Sequence, residues 1–240
     1  MSYFITKWGV VKVFSLAHIL IVLGIIAIIY FSKYLAKYVI KNNYDKQYRY
    51  TLAIVMTILE VAFNIWSLVN KGFTKDLLPF ELCSVVMWVT VVALLIDSKK
   101  LIKIVTPWGL LGAFLAVIFF DMGGDYAFYE FRFWHFFGLH TLFVASDLYY
   151  FYSGKIDEYT KKDSYESMAY LFLYATVIFI FNQVADFNYL FLKELPSAAS
   201  FIHDFIKAPF HVIPLVLVFG ITVYSMRYLF QYIINKAQKV

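Results

Sequence analysis

The sequence predicts an all-α protein built as a polytopic transmembrane bundle of seven helices. Of its 240 residues, 62% are hydrophobic and only 15% are charged, whereas a soluble domain carries about 25% charged residues. The apolar residues fall in blocks long enough to cross a bilayer, which takes about 20 residues each. Lys and Arg concentrate in alternate connections between these blocks. Because the blocks fill most of the chain, we predict a single transmembrane helical domain over residues 1–240.

Each predicted helix follows from an apolar run bounded by a polar connection. The predicted spans are 12–31, 50–70, 78–96, 104–120, 131–152, 166–183 and 209–232. The first run is too long for a signal peptide and no small-residue cleavage site follows it, so we expect it to be a span. The fourth and sixth segments are the shortest and lie near the lower length limit for a spanning helix.

The loop charges predict the orientation of the bundle. Thirteen Lys and Arg residues lie in the loops and tail on one side, and seven lie on the other. The positive-inside rule therefore predicts an outer N-terminus and a cytoplasmic C-terminus in a multi-pass protein of the cell membrane. This distribution accounts for the formal charge of +5 and calls for no nucleic-acid partner. A single cysteine excludes an internal disulfide and a multi-cysteine metal site, and we expect no cofactor.

The third predicted span begins beside the chain's one cysteine. Proline is favoured at the first helical position, so Pro79 predicts the helix start and places Cys83 in or just beyond the first turn. The positive end of the helix dipole favours the thiolate, which is the nucleophilic form. The alternative role for Cys83 is that of a small buried hydrophobic side chain. Glu81 lies two positions earlier, about 200° round a helix, so we expect no contact between it and Cys83.

The fifth predicted span carries two histidines and an aspartate. Seven residues separate His140 from Asp147, so both lie on one helix face, while His135 lies further round. An imidazole this deep in an apolar helix can serve as a general base, a ligand or a packing residue. Gly138 beside the two histidines permits close helix approach. For Asp147 two roles stay open, orienting a histidine or pairing with a lysine.

The second predicted span carries a polar stripe. Glu60, Asn64 and Ser67 follow one another at spacings of four and three residues, which places them on one helix face. An acidic side chain near the middle of a membrane must be protonated, paired or hydrated, and often belongs to an ion or proton pathway. A hydrogen bond to a neighbouring helix is the alternative explanation for Glu60.

Further polar residues gather at the predicted outer end. His18 lies in the outer part of the first span, and His211 opens the seventh. The connection 184–208 is unusually apolar for an exposed loop. We therefore expect either a segment that covers the mouth of the bundle, with Asn188 and Tyr189 directed inward, or an amphipathic surface helix.

Two outer loops complete the set of candidates. His203 and Asp204 precede the seventh span, so all five histidines are predicted to lie in the outer half or beyond it. The loop 121–130 contains Asp121 and Asp125 around two glycines, and metal binding there is an alternative that the pattern leaves open.

Several of these residues belong to short motifs that occur together in a fixed order. The motifs are Phe14-Ser15-Leu16-Ala17-His18, Leu78-Pro79 with Leu82-Cys83, His140, and Asn188-Tyr189-Leu190-Phe191-Leu192 with Pro196. In this combination the chain resembles the YwaF-like family of bacterial integral membrane proteins. That family is similar to the vertebrate transmembrane cysteine acyltransferases that remodel ether phospholipids with polyunsaturated chains.

The resemblance implies a cysteine that accepts an acyl chain from a lipid and a histidine that activates it. Carried over to this chain, Cys83 would be the acyl acceptor and His140 the base, with His18, Asn188 and Tyr189 as pocket residues. Bacterial relatives have a histidine two positions before the cysteine, where this chain has Glu81. The resemblance therefore leaves open whether His140 or Glu81 deprotonates the thiol.

These observations predict a membrane-embedded lipid acyltransferase with an outward-facing Cys/His site. It would transfer a fatty acyl chain from a membrane phospholipid to a lipid or a lipoprotein amine, through an acyl-enzyme on Cys83. The predicted substrate-binding residues are His18, Glu60, Asn64, Glu81, His135, Asn188, Tyr189 and His211. One alternative is a small-molecule transporter or substrate-binding membrane subunit lined by Glu60, Asn64, Asp147 and the histidines. A lipid hydrolase that uses Thr141 and a histidine is another.

Overall fold

A computed structural model describes residues 9–195, 206 and 210–238, and this part of the chain contains seven α-helices. They are α1 (Leu16–Lys41), α2 (Asp45–Lys71), α3 (Leu82–Ile96), α4 (Lys99–Ile118), α5 (Phe131–Tyr152), α6 (Lys161–Ala185) and α7 (Val212–Gln238). Two short 3₁₀ turns, Lys75–Leu77 and Tyr189–Phe191, lie in the connections. Within the described residues the only β-type pairing is an isolated bridge between Val10 and Ala127. The all-α prediction is confirmed.

Each of the seven predicted segments corresponds to one helix of the described structure. Five of these helices are long and apolar enough to cross a membrane: α1, α2, α4, α6 and α7. Helix α3 has 15 residues, which at 1.5 Å per residue makes it about 22 Å long, short of a hydrocarbon core about 30 Å thick. Helix α5 has 22 residues, but its histidines, arginine and aspartate reduce its apolar character. Helices α3 and α5, which carry Cys83 and His140, are therefore the two that do not belong to this group of five.

The predicted boundaries differ from the observed ones mainly where a helix continues beyond its apolar run. The fifth span matches α5 at both ends, whereas α1 extends ten residues past the predicted end of the first span. Pro79 was wrong as the start of the third helix, because the chain forms a turn there and α3 begins at Leu82. Glu81 is the N-cap residue, with extended backbone angles, so Cys83 still lies in the first turn.

Contacts between helix ends show an up-and-down arrangement. Near one end, His18 of α1 reaches Val117 of α4, and Trp66 of α2 packs on Phe131 of α5. We call this the outer end, following the predicted orientation, and the opposite one the inner end. Helices α1, α3, α5 and α7 run from the outer to the inner end, so α3 and α5 are parallel.

The inner end is held together by ion pairs around the buried Arg49 and the half-buried Asp45 and Lys155. Lys155 Nζ lies 2.8 Å from Asp45 and 2.9 Å from Asp97, and Arg49 Nε lies 3.1 Å from Asp45. Arg49 also donates a hydrogen bond to the Leu94 carbonyl. Because a charge removed from water must be paired, this network fastens α2, the end of α3 and the segment after α5 to one another.

Helix α5 lies at the centre of the bundle. Fifteen of its residues are buried, and it packs against α1, α2, α3, α4 and α7. The main core cluster is apolar and includes Met56, Val86 and Phe143, with bulky aromatic side chains toward the inner end. By contrast α1 contributes three buried residues, and its exposed apolar surface suits contact with lipid. His203 and Asp204 lie outside the described residues.

Candidate active site

Cys83 occupies the second position of α3. It is half-buried, and its thiol has no hydrogen-bond partner among the described residues. The first backbone N–H groups of a helix have no partner within the helix and create a positive electrostatic potential. Cys83 lies in the first turn of α3, as the sequence predicted, and Glu81 is the N-cap residue of the same turn.

Two glycines of α4 allow that helix to approach α3 closely. A Cβ at Gly112 would lie 3.4 Å from Cys83 Sγ, and a Cβ at Gly109 would lie 2.8 Å from Val86 Cγ1. Small residues at such positions let helix backbones come together in a membrane. One turn of α3, from Cys83 to Val86, thus faces one turn of the antiparallel α4, from Gly112 to Gly109.

Two hydrogen bonds fix the register between the parallel helices α3 and α5. Thr90 Oγ1 donates to Asp147 Oδ1 at 2.7 Å, and the Tyr150 hydroxyl donates to the Ala93 carbonyl at 3.1 Å. Each bond joins residues that are 57 positions apart.

Cys83 and His140 are separated by the same 57 positions. Cys83 lies seven residues before Thr90, and His140 lies seven residues before Asp147, so both are about 10.5 Å closer to the outer end than the Thr90–Asp147 bond. A step of seven residues returns to the same face of a helix. The register therefore puts the two residues at the same level of their helices, and Cys83 Sγ lies beside Gly112 of α4. The thiol and the imidazole are not directly hydrogen-bonded, because the thiol has no such partner among the described residues.

The hydrogen bond of His140 fixes which ring nitrogen can act as a base. Nδ1 lies 2.7 Å from the Phe136 carbonyl oxygen, which only accepts, so Nδ1 carries the proton in the neutral ring. Nε2 then has the lone pair, and it has no hydrogen-bond partner among the described residues. The rings of Phe136 and Phe143 pack on the imidazole at 4.6 and 5.4 Å between centroids. His140 thus presents one basic nitrogen from an apolar setting.

His135 belongs to a second polar group, between α2 and α5. Its Nε2 lies 3.3 Å from Glu60 Oε2, and both side chains are buried. Its Nδ1 lies 3.2 Å from an Arg132 guanidinium nitrogen, and its ring stacks on Phe63 at 4.5 Å. Glu60 is therefore paired with His135 of the adjacent helix α5. His135 lies five residues closer to the outer end than His140.

Two further polar atoms of the α2 stripe are buried and have no hydrogen-bond partner among the described residues. Asn64 Oδ1 and Ser67 Oγ are inaccessible to solvent and accept or donate no hydrogen bond within the described part of the chain. Buried polar atoms of this kind are usually satisfied by water or by a bound group. Asp147 Oδ2 is also buried without a hydrogen-bond partner among the described residues, and it lies closer to the inner end than Cys83 does.

The segment after α6 covers the outer end of α3. Tyr189 is fully buried, and its backbone N–H and carbonyl both bond to the Asn182 side chain, at 3.0 and 2.9 Å. Its hydroxyl donates to the Lys75 carbonyl at 2.7 Å. The next residue, Leu190, donates its N–H to Glu81 Oε2 at 3.3 Å. We call residues 186–194 the cap.

Two neighbouring residues of the cap are strained, and its ends are tied together. Leu190 and Phe191 have φ values of 58° and 54°, in the left-handed region that costs non-glycine residues about 1–2 kcal/mol. The Lys193 ammonium donates to the Asp186 carboxylate at 2.6 Å and lowers the pKa of that carboxyl. Asn188 bonds within the cap, accepting from the Lys193 N–H, and is not directed inward as expected.

Two other predicted pocket histidines have structural bonds. His18 Nδ1 accepts from the Phe14 N–H at 2.9 Å, and its Nε2 donates to the Val117 carbonyl at 2.8 Å. Both nitrogens of this buried ring are therefore occupied, and His18 fastens the start of α1 to the end of α4. His211 Nε2 donates to the Phe191 carbonyl at 3.1 Å and so helps to hold the cap.

The alternatives at the outer loops and at Thr141 find little support in the geometry. Asp121 Oδ1 accepts from the Gly123 N–H at 2.9 Å and closes a turn. The described residues contain no group of three His, Cys, Asp or Glu side chains arranged to share a metal ion. The Thr141 hydroxyl donates to the Phe137 carbonyl at 2.7 Å, an intrahelical bond that occupies its proton.

The model of the TMEM164 family matches residues 13–227. The chain belongs to the TMEM164 family. That match covers every helix from α1 to α6 and the first part of α7, and so includes Cys83, His140 and the cap. No curated protein and no solved structure gives a significant match to the chain. As a family member with five helices suited to crossing a bilayer, it is an integral membrane protein.

Several residues that build this site were missed from the sequence. Gly109 and Gly112 were not singled out, although small residues in an apolar helix let a neighbouring helix approach closely. Asn182 and Thr90 carry no signal in a single sequence, because their partners come from distant parts of the chain.

Proposed function

We propose that this TMEM164 family protein is a membrane-embedded lipid acyltransferase that uses Cys83 as the nucleophile and His140 as the general base. The observation that supports the proposal is the 57-residue register of α3 and α5, because Cys83 and His140 are also 57 positions apart. The resemblance to YwaF-like proteins and to the vertebrate cysteine acyltransferases supports the same two residues.

In the first half-reaction His140 Nε2 takes the proton from the Cys83 thiol, and the thiolate attacks the ester carbonyl of a phospholipid. The tetrahedral intermediate collapses to a thioester on Sγ, and the lysophospholipid alkoxide leaves with the proton from the imidazolium. In the second half-reaction an acceptor hydroxyl or amine gives its proton to Nε2 and attacks the thioester. The acyl chain moves to the acceptor, and Cys83 recovers its proton.

Three features of the site suit this chemistry. The Phe136 carbonyl holds His140 in the tautomer whose lone pair is on Nε2. The start of α3 favours negative charge on the sulfur. The phenylalanine-rich surroundings suit an acyl chain, and the polar atoms of Asn64 and Ser67 offer hydrogen bonds to the polar part of a lipid.

The test is acyl transfer from a phospholipid with a clickable fatty acid to the purified protein in nanodiscs. We expect a hydroxylamine-sensitive adduct on the wild type and none on Cys83→Ala. His140→Gln should reduce the rate at which it forms by about 100-fold or more, the range for loss of a general base. Ser84→Ala, an adjacent change at the start of α3, is the control and should retain transfer. Undiminished transfer by folded Cys83→Ala would overturn the proposal.

Thr141→Val distinguishes the acyltransferase from a threonine-dependent hydrolase. The variant keeps the shape of the side chain next to His140 and removes the hydroxyl. We expect it to retain acyl labelling, whereas a hydrolase that used Thr141 would lose both labelling and lipid hydrolysis.

The second candidate function is a transporter, which the unpartnered polar atoms of Asn64, Ser67 and Asp147 favour. Transport requires a polar route through the full thickness, and the ion pairs around Lys155 close the described inner end. Uptake by proteoliposomes that is lost in Glu60→Gln would favour the transporter over the enzyme.

A further inference from the structure

The last three turns of α1 carry two regular stripes that the proposed function does not use. One is aromatic and the other basic, each with members four residues apart: Tyr30, Tyr34 and Tyr38, and Lys33, Lys37 and Lys41. Residues four apart lie above one another on a helix, so the stripes run side by side toward the inner end. We call these six residues the Lys-Tyr ladder.

The ladder faces outward. The three tyrosines are 51%, 55% and 58% exposed, although large aromatic side chains usually contribute to a core. Lys33 Nζ lies 3.5 Å from the centre of the Tyr30 ring and 4.7 Å from that of Tyr34. These cation–π contacts hold the ammonium beside the two rings.

The basic residues of the ladder are not neutralised by the protein. Among the described residues none of the three lysines pairs with a carboxylate. Elsewhere at the inner end, five basic residues do pair with Asp or Glu: Arg49, Lys100, Lys103, Lys155 and Lys162. The ladder is therefore a patch of uncompensated positive charge.

The length of α1 places the ladder at the surface of the membrane. Its 26 residues extend about 39 Å, some 9 Å more than a hydrocarbon core about 30 Å thick. Phe31 and Leu35 are 60% and 46% exposed on the same turns, so this surface meets lipid tails. Lys37 and Lys41 then lie where the tails give way to headgroups.

We propose that the Lys-Tyr ladder binds anionic phospholipids of the leaflet at the inner end. Lysine ammonium groups contact the lipid phosphate as point charges, and the tyrosine rings occupy the interface where an apolar body and a polar tip both find partners. The headgroup of a zwitterionic lipid contains a cationic group that already compensates its phosphate. The uncompensated lysines therefore favour a headgroup with a net negative charge. Each such lysine strengthens binding by about fivefold, from about 1 kcal/mol.

Competition between two lipids tests the proposal. The purified full-length protein is mixed with equal amounts of phosphatidylglycerol and phosphatidylcholine that have identical chains, and the lipids retained are counted by native mass spectrometry. We expect the wild type to retain phosphatidylglycerol preferentially. The triple variant Lys33→Gln/Lys37→Gln/Lys41→Gln should lose this preference by about 100-fold, because the fivefold contributions of the three lysines multiply.

The matched control removes the same number of charges from the same end. Lys100→Gln/Lys161→Gln/Lys162→Gln changes three exposed lysines, two of which already pair with Glu166. We expect this control to keep the preference, and Lys33→Arg/Lys37→Arg/Lys41→Arg to keep it as well. Equal losses in the two Gln variants, or no preference in the wild type, would overturn the proposal. Should the triple Gln variant not fold, the three single variants each test a fivefold loss.

Discussion

Thr90 Oγ1 donates a hydrogen bond of 2.7 Å to Asp147 Oδ1, and both side chains are buried in the centre of the bundle. This bond joins α3 to α5 at a point two helical turns inward from Cys83 and His140. It is therefore a structural determinant of the candidate site that does not itself contact the site. The first prediction concerns its contribution to stability.

Replacing Thr90 by Val should destabilise the protein by about 1–3 kcal/mol, because Asp147 Oδ1 is left buried without its donor. Thermal unfolding in detergent measures the loss. Thr106→Val is the control: Thr106 is equally buried, but its hydroxyl donates to the Ile102 carbonyl of its own helix. Similar losses for the two variants would show that the Thr90–Asp147 bond has no special role.

The second prediction tests the packing of α4 on α3. A Cβ at Gly109 would lie 2.8 Å from Val86 Cγ1 and 3.3 Å from Phe143 Cε2, so Gly109→Ala should cost about 1–3 kcal/mol from overpacking. A Cβ at Gly138 would meet nothing within 4 Å. Gly138→Ala should therefore be neutral or stabilising by up to about 1 kcal/mol. The melting temperature in detergent should fall for Gly109→Ala and should stay the same or rise for Gly138→Ala.

How far the sequence predicts this protein differs between helices and contacts. Apolar runs predicted seven helices and both ends of α5, because a helix in lipid must satisfy its own backbone within one continuous segment. The same reasoning missed the last ten residues of α1, since a helix continues into the headgroup region, where apolar character is no longer required. The helix start predicted from Pro79 was wrong because Pro79 lies in the turn that precedes α3.

Contacts between helices were predicted less well. Helical spacing predicted that His140 and Asp147 lie on one face of α5. Which side chains that face contacts depends on which helices are its neighbours and on their register. The pairing of Glu60 with His135, the two bonds from Asn182 to the cap, and the occupied ring of His18 depend on side chains distant in sequence. Residue types at helical spacing show a face, and only packing shows what that face meets.

The third prediction concerns the Glu60–His135 pair. Removing one partner of this buried contact leaves the other group buried and unpaired, which costs about 1–3 kcal/mol, and more where that group is charged. Glu60→Leu and His135→Leu should each reduce thermal stability, while the double variant Glu60→Leu/His135→Leu should lose much less than the sum. Additive losses in this double-mutant cycle would show that the two side chains do not interact.

The last prediction concerns the cap and access to the thiol. Asn182 holds both backbone groups of Tyr189, so Asn182→Ala should release the cap from the start of α3. Since Cys83 is the one cysteine of the chain, labelling by a membrane-impermeant maleimide reports its accessibility alone. We expect severalfold faster labelling of Asn182→Ala than of the wild type. Asn70→Ala, which removes a bond from Asn70 to the Trp66 carbonyl near the same end, should label at the wild-type rate. If Asn182→Ala also labels at that rate, the cap does not control access to Cys83 and a lipid must reach the thiol between the helices.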